Sequence, residues 1–241
     1  MGTPLIDPRP ILVVTGMARE ALLASGPATI VVASGGNSLQ LRQLLAEHPR
    51  SDWRAILSFG IAGGLAPHVS PGDVVVSTGI LAEGRHWPAD KALVDWMCQR
   101  LSRSKIRTTR AVIAGIDAPM LEAALKAALH GRSGAAVVDM ESHQAAEYAA
   151  ERGLPFAALR VVCDPSWRNL PPLAATALNK KGCVDLPAVL SSLLRSPFQL
   201  AALPNVARDS VTAFRTLRRC RNLLGIGRGF PDLFELLGDV A

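Results

Sequence analysis

Asp139, Glu141 and Asp164 stand at the carboxyl ends of two apolar runs, Ala135 to Val138 and Phe156 to Val162, with a helical segment between them. Open α/β sheets place their ligands at such strand ends, so these carboxylates are expected to converge on one crevice. Acids gathered there can hold hydroxyl groups, move protons and stabilise developing positive charge. Each also has a plainer use. Asp139 can cap the helix that follows, and Glu141 can sit in its first turn, where the helix dipole favours an acid. Arg160, two positions before Val162, is placed for a ligand contact or for a structural ion pair, with Asp139 as the candidate partner.

Glycine supplies the second kind of candidate. Gly35-Gly36-Asn37 and Gly60-Ile61-Ala62-Gly63-Gly64 each follow an apolar run, where glycine allows close backbone approach and exposes N–H groups to an anion. Tight turns at strand ends are the ordinary alternative. Neither cluster fits G-x-G-x-x-G, and G-x-x-x-x-G-K-[ST] does not occur, so dinucleotide and Walker-type sites are weakly supported. Arg85 and His86 lie in a polar stretch, Leu81 to Pro88, as surface residues or at the mouth of a site.

The elements that must position these residues alternate along the chain. Strands are expected at Ile11 to Thr15, Thr29 to Ala33, Ala55 to Phe59, Val74 to Thr78 and Thr108 to Ala114. Helices are expected from the Gly16 turn to Gly26-Pro27, for about ten residues after Asn37, at Lys91 to Leu101 and at Met120 to His130. Strands that are apolar without alternation indicate a sheet covered on both faces. The alternation points to one three-layer αβα domain over residues 1–170, with a mixed, mostly parallel sheet. Beyond Asp164 the prolines multiply and no further strand is expected, so 171–241 reads as a helical extension packed on that domain. A helix from Asn205 to Leu224 would gather Val206, Ala213, Phe214, Leu217 and Leu224 on one side and Arg208, Arg215 and Arg219 on another. Such a helix either packs on the domain or lies in a membrane interface.

The 241 residues carry 26 Lys and Arg against 20 Asp and Glu, a formal charge of +6, and the pI is near 9.6. That balance suits phosphate groups, acidic lipid surfaces or nucleic acid. Aromatic residues are only 5% and none interleaves with a basic stripe, which argues against a stacking platform for nucleic acid. A hydrophobic content of 49% can bury a sizeable core and argues against disorder on a whole-chain scale. Cys98, Cys163, Cys183 and Cys220 are widely spaced, with no C-x-x-C and no His at ligand spacing, as in reduced thiols of a cytoplasmic protein. Neither a signal peptide nor a run approaching the roughly 18 apolar residues of a membrane span is expected.

Val138-Asp139-Met140-Glu141-Ser142, the small residues Ala145, Ala146 and Ala149, and Pro155 to Asp164 together resemble the purine nucleoside phosphorylase and methylthioadenosine/S-adenosylhomocysteine nucleosidase superfamily. Phe59 to Pro67 and Pro71 to Ser77 are similar to its glycine signature and following strand, which places Gly63 and Gly64 at the substrate. The resemblance implies that Met140 lies under the sugar, Glu141 accepts hydrogen bonds from the ribose, and Asp164 meets the purine near N7 as general acid. Glu20 matches the carboxylate that activates water in the nucleosidases, with a solvated helix pair as the plainer reading of Arg19 and Glu20. In related phosphorylases a basic residue stands near this turn, so Arg19 with Gly35 and Gly36 would hold phosphate. Ile61 departs from the family, where relatives often carry Ser or Thr, and a hydroxyl contact is lost.

The tail adds a second resemblance. Asn169 to Ala174, Asp185 to Leu203 and Ala207 to Arg219 look like the hopanoid-associated phosphorylases. This implies phosphorolysis of adenosylhopane, with phosphate as co-substrate and no metal or organic cofactor. It also implies a lipid-linked nucleoside as partner, no nucleic acid, a peripheral contact with the membrane surface, and a homo-oligomer. The alternatives are a hydrolytic nucleosidase acting through Glu20 and a noncatalytic nucleoside- or lipid-binding protein.

Overall fold

β1 (Ile11–Thr15) is buried at every position. Leu12 and Val14 enter one hydrophobic cluster and Ile11 and Val13 the other, as the period of two in a strand dictates when both faces of a sheet are covered. The computed structural model describes residues 9–48, 50, 52–173, 179, 182–183 and 202–227. After β1 come α1 (Ala18–Ala24), β2 (Thr29–Ala33), α2 (Ser38–Ala46), β3 (Ile56–Gly64), β4 (Val74–Ala82) and β5 (Arg85–Pro88). Then follow α3 (Lys91–Ser102), β6 (Thr108–Gly115), α4 (Ala123–Ser133), β7 (Val137–Asp139), α5 (Ser142–Glu151), β8 (Phe156–Asp164) and α6 (Leu203–Leu224).

The eight strands form one mixed sheet in the order β2-β1-β3-β7-β6-β4-β5, with β8 pairing both β3 and β4. β1/β2, β1/β3, β3/β8, β4/β6 and β6/β7 are parallel, and β3/β7, β4/β5 and β4/β8 are antiparallel. The expected mixed, mostly parallel sheet is therefore present, and its pairings close the ring β3-β8-β4-β6-β7. One core, with Trp53, Tyr148, Ala145 and Leu41, lies under α2 and α5, and Trp53 Nε1 donates to Tyr148 Oη at 3.1 Å. The other, with Leu93, Trp96, Met97, Phe214 and Leu217, lies under α3 and α6.

Several boundaries differ from the sequence reading. β3 runs through the glycine cluster instead of ending before it, because its ladder with β8 continues from Ile56 to Gly63. Leu81 to Pro88 is a hairpin rather than a polar loop. Glu83 and Gly84 both have positive φ, 50° and 76°, as a two-residue hairpin turn of primed type requires. α4 begins at Ala123, three residues later than expected, which frees Met120 and Leu121 to line a cavity.

α6 starts two residues before the expected Asn205. It buries Ala213, Phe214, Leu217, Cys220 and Leu224 and exposes Arg208, Arg215, Arg218 and Arg219. Its lone acid, Asp209, is buried and paired with Arg168. The similarity seen at Asp185 to Leu203 falls almost wholly outside the described residues. Among the described residues no helix is long and apolar enough to cross a membrane.

Candidate active site

A cavity of about 210 Å³ opens at the carboxyl ends of β1, β3, β7 and β8. Gly16, Met17, Glu20, Gly36, Gly63 and Asp139 to Glu141 line it, together with Cys163 and Asp164. Ile116, Pro119, Met120, Leu121, Val138 and Leu170 add an apolar wall. The strand-end acids thus meet in one place, as their spacing predicts.

Each acid is held differently. Asp139 closes β7 and accepts from Ser142 N at 3.0 Å, so it caps α5, and it pairs with Nε of Arg160, a fully buried guanidinium. Arg160 Nη2 donates to Ser58 Oγ at 2.7 Å and Ser142 Oγ at 3.2 Å and lies 3.6 Å from Glu141. The ion pair of Asp139 with Arg160 is therefore as expected, and Asp139 bonds the first N–H of α5 although the N-cap position itself is Glu141. Arg160 itself does not line the cavity.

Glu141 sits at the N-cap of α5 and accepts from Ser34 Oγ at 3.0 Å. Gly16 is required opposite it, because a Cβ there would come within 2.7 Å of Glu141 Oε1. Burial pushes the Glu141 carboxyl up to about 7, against the pull of Arg160 and helped by Asp139 and Glu20. A carboxyl raised from 4.5 stabilises the folded chain fully below its unfolded value, and that contribution is lost as pH rises through the folded one. Glu141→Gln cannot ionise, so thermal unfolding should fall less steeply from pH 5 to pH 8.5 in this variant than in the parent. Equal slopes would show that the carboxyl is not held up.

Glu20, on the first turn of α1, is buried and accepts three backbone N–H groups: Gly16 and Met17 at 2.8 Å and Ile61 at 2.7 Å. Burial raises its carboxyl above the ordinary range, opposed by Arg160 and by these N–H groups. The last guanidinium nitrogen, Arg160 Nη1, has no hydrogen-bond partner among the described residues. A Cβ at Gly60 would overlap both this nitrogen and Glu20 Oε1, so the glycine makes room for the pair. Ile61, the family departure, offers no hydroxyl, and its backbone N–H is bonded to Glu20.

Asp164 reaches the cavity through a bulge. Val162 opposes Ala62 and Asp164 opposes Gly63, so Cys163 is an extra residue in β8, and the acid is re-aimed. Burial raises the Asp164 carboxyl, and Lys126 opposes that rise. Lys126, fully buried on α4, is paired with it. Sequence reasoning missed this lysine; its position three residues before Leu129, on the face α4 buries, was the available signal.

The remaining expectations separate. Met140, Gly36 and Gly63 line the cavity, whereas Gly35 and Gly64 do not. Arg19 does not reach it: its guanidinium lies 4.2 Å from the centroid of the Phe214 ring, beside α6. The Gly36 N–H is also committed, to Ser34 Oγ at 3.0 Å and Gly16 O at 3.1 Å. Arg85 pairs with Glu147, away from the cavity. No group of three or more His, Cys, Asp and Glu placed to hold a metal occurs among the described residues.

Solved structures share this architecture. The chain aligns with a mutant MTAN of Helicobacter pylori holding 5′-methylthioadenosine in its active site, at 14% identity and a TM-score of 0.64, covering 89% of this chain and 98% of that one. Futalosine hydrolase of Helicobacter pylori gives 14% identity and a TM-score of 0.63, covering 89% and 98%. The S-adenosylhomocysteine nucleosidase of Streptococcus pyogenes gives 19% and 0.60, covering 88% and 98%. At these identities the likeness is one of fold. No curated protein matches the sequence. The sequence profile of the phosphorylase superfamily does match, over residues 18–170, a span that carries Glu20, the glycine-bearing β3, Glu141 and Asp164, and the chain belongs to that superfamily.

Proposed function

We propose that this cavity cleaves the N-glycosidic bond of an adenosyl compound, releasing adenine, with phosphate as acceptor of the sugar. The observation that carries the cleavage is the meeting of Asp164 and Glu141 in one cavity, each carboxyl raised by burial toward its protonated form. As the bond between C1′ and the base breaks, its electron pair passes to the purine and the sugar acquires oxocarbenium character. Asp164 gives its proton to N7 and neutralises the leaving base, a step worth about 10² to 10⁴ in rate. Glu141 accepts from the ribose hydroxyls and favours the cationic sugar electrostatically, with Met140 under the ring and the apolar wall against the purine.

Phosphate as acceptor is supported by the resemblance of nearly the whole chain to the hopanoid-associated phosphorylases. The same resemblance supports a lipid-linked substrate, adenosylhopane, and a homo-oligomer. The arginines on the outer side of α6 support a peripheral contact with an anionic membrane.

Hydrolysis is the second reading, and one observation favours it. Glu20 occupies three backbone N–H groups that could otherwise hold phosphate, and when ionised it is placed to take a proton from an attacking water. Adenine release from 5′-methylthioadenosine, measured with and without inorganic phosphate, distinguishes the two. Phosphorolysis predicts release that rises at least about tenfold with phosphate and yields a sugar 1-phosphate, with Glu20→Gln only moderately damaging. Release indifferent to phosphate and abolished in Glu20→Gln establishes hydrolysis. Binding without release under either condition leaves a noncatalytic nucleoside-binding protein.

A further inference from the structure

A lysine ammonium sealed inside a protein is costly unless every proton it carries is matched. Lys126 is fully buried, and its Nζ donates to Asp164 Oδ2, to Pro165 O at 3.3 Å and to Arg168 O at 3.2 Å. Three donors meet three acceptors, and the one carboxyl among the acceptors is the acid assigned to the leaving group. The two carbonyls hold the ammonium in position from the turn that follows β8, so it cannot swing away from Asp164 without losing both.

Resting on the proposed glycosidic cleavage, we infer that Lys126 is a positioning residue for the leaving-group step: its ammonium receives the negative charge that Asp164 acquires on giving its proton to the base. The proton moves from the Asp164 carboxyl to N7, the glycosidic electron pair stays with the base, and the carboxylate left behind stands in an ion pair with Lys126. The lysine thereby strengthens the acid where charge develops and lowers the pH up to which Asp164 keeps its proton. The other groups facing Asp164 add little net field. Arg168 and Asp209 are paired with each other, and the Cys163 thiol, pushed up to about 12 by burial, is neutral. Glu20 and Glu141 line the same cavity and are common to every variant compared below.

The test is the pH profile of kcat/KM for adenine release from 5′-methylthioadenosine in the parent, Lys126→Met and Lys126→Arg. Loss of the cation should move the falling alkaline limb at least about one unit upward and lower the plateau at least about tenfold. Lys126→Arg, which keeps the charge, should leave the limb near its parental position. A plateau that falls with the limb unmoved in Lys126→Met would assign the lysine to packing alone and overturn the inference. The double variant Lys126→Met/Asp164→Asn gives a second reading, because it leaves neither the buried cation nor an ionisable acid at this place and is expected to fold. It should be no slower than Asp164→Asn, since Lys126 acts only through that acid. A further loss of tenfold or more would overturn the inference as well. Failure of the cleavage reading itself looks different: the parent would then release no adenine, whatever Lys126 does.

Discussion

Asp164→Asn is expected to yield a folded protein that releases adenine about 10² to 10⁴ times more slowly than the parent. The amide preserves shape and still accepts a hydrogen bond from Lys126, so the acid's packing survives the change. It cannot hand a proton to N7, and the base must then depart as an anion. The loss should fall on kcat and kcat/KM together, because the lost interaction belongs to the transition state. Single-turnover release from 5′-methylthioadenosine, alongside circular dichroism of the variant, makes the measurement. Turnover within threefold of the parent would remove Asp164 from the chemistry.

The second large effect is on stability. Arg160→Met leaves the Asp139 carboxylate buried without its charged partner and takes a donor from Ser58 and Ser142. Breaking a buried pair from one side costs about 3–5 kcal/mol, a fall in Tm on the order of 10 °C for a chain of this size. Adding Asp139→Asn to Arg160→Met removes the stranded charge and should recover part of the loss. A single variant that unfolds within 1 kcal/mol of the parent, or a double variant less stable than the single, would show that the pair contributes little.

The contrast between these residues shows what the sequence carried. Asp139, Glu141 and Asp164 were legible because strand ends of one sheet meet at one edge whatever the rest of the chain does. The bond from Arg160 to Asp139 followed from the same geometry. The anion site expected at Arg19 was not legible, because the destination of a backbone N–H is a tertiary fact: Glu20 folds back on Gly16 and Met17, and Arg19 turns to Phe214. Lys126 was obscured by reading the helix from Met120, which blurred the face that buries it. β7 spans three residues, too few for a period to register, so the ring it closes could not be foreseen.

α6 also bears on the order in which the candidate site comes into being. α1 has seven residues, too short to hold itself helical in water. Arg221 Nε donates to the carbonyl of Leu23 at 2.9 Å, a cation at the negative end of that helix, while Phe214 receives Arg19. The element bearing Glu20 is thus fastened by residues made some two hundred positions later. On the ribosome the sheet can form and the strand-end acids can meet while α1 still lacks its clamp. The contacts that fasten α1 from outside the sheet arrive with α6, and a chain broken before it would carry the acids without that clamp on the helix that bears Glu20.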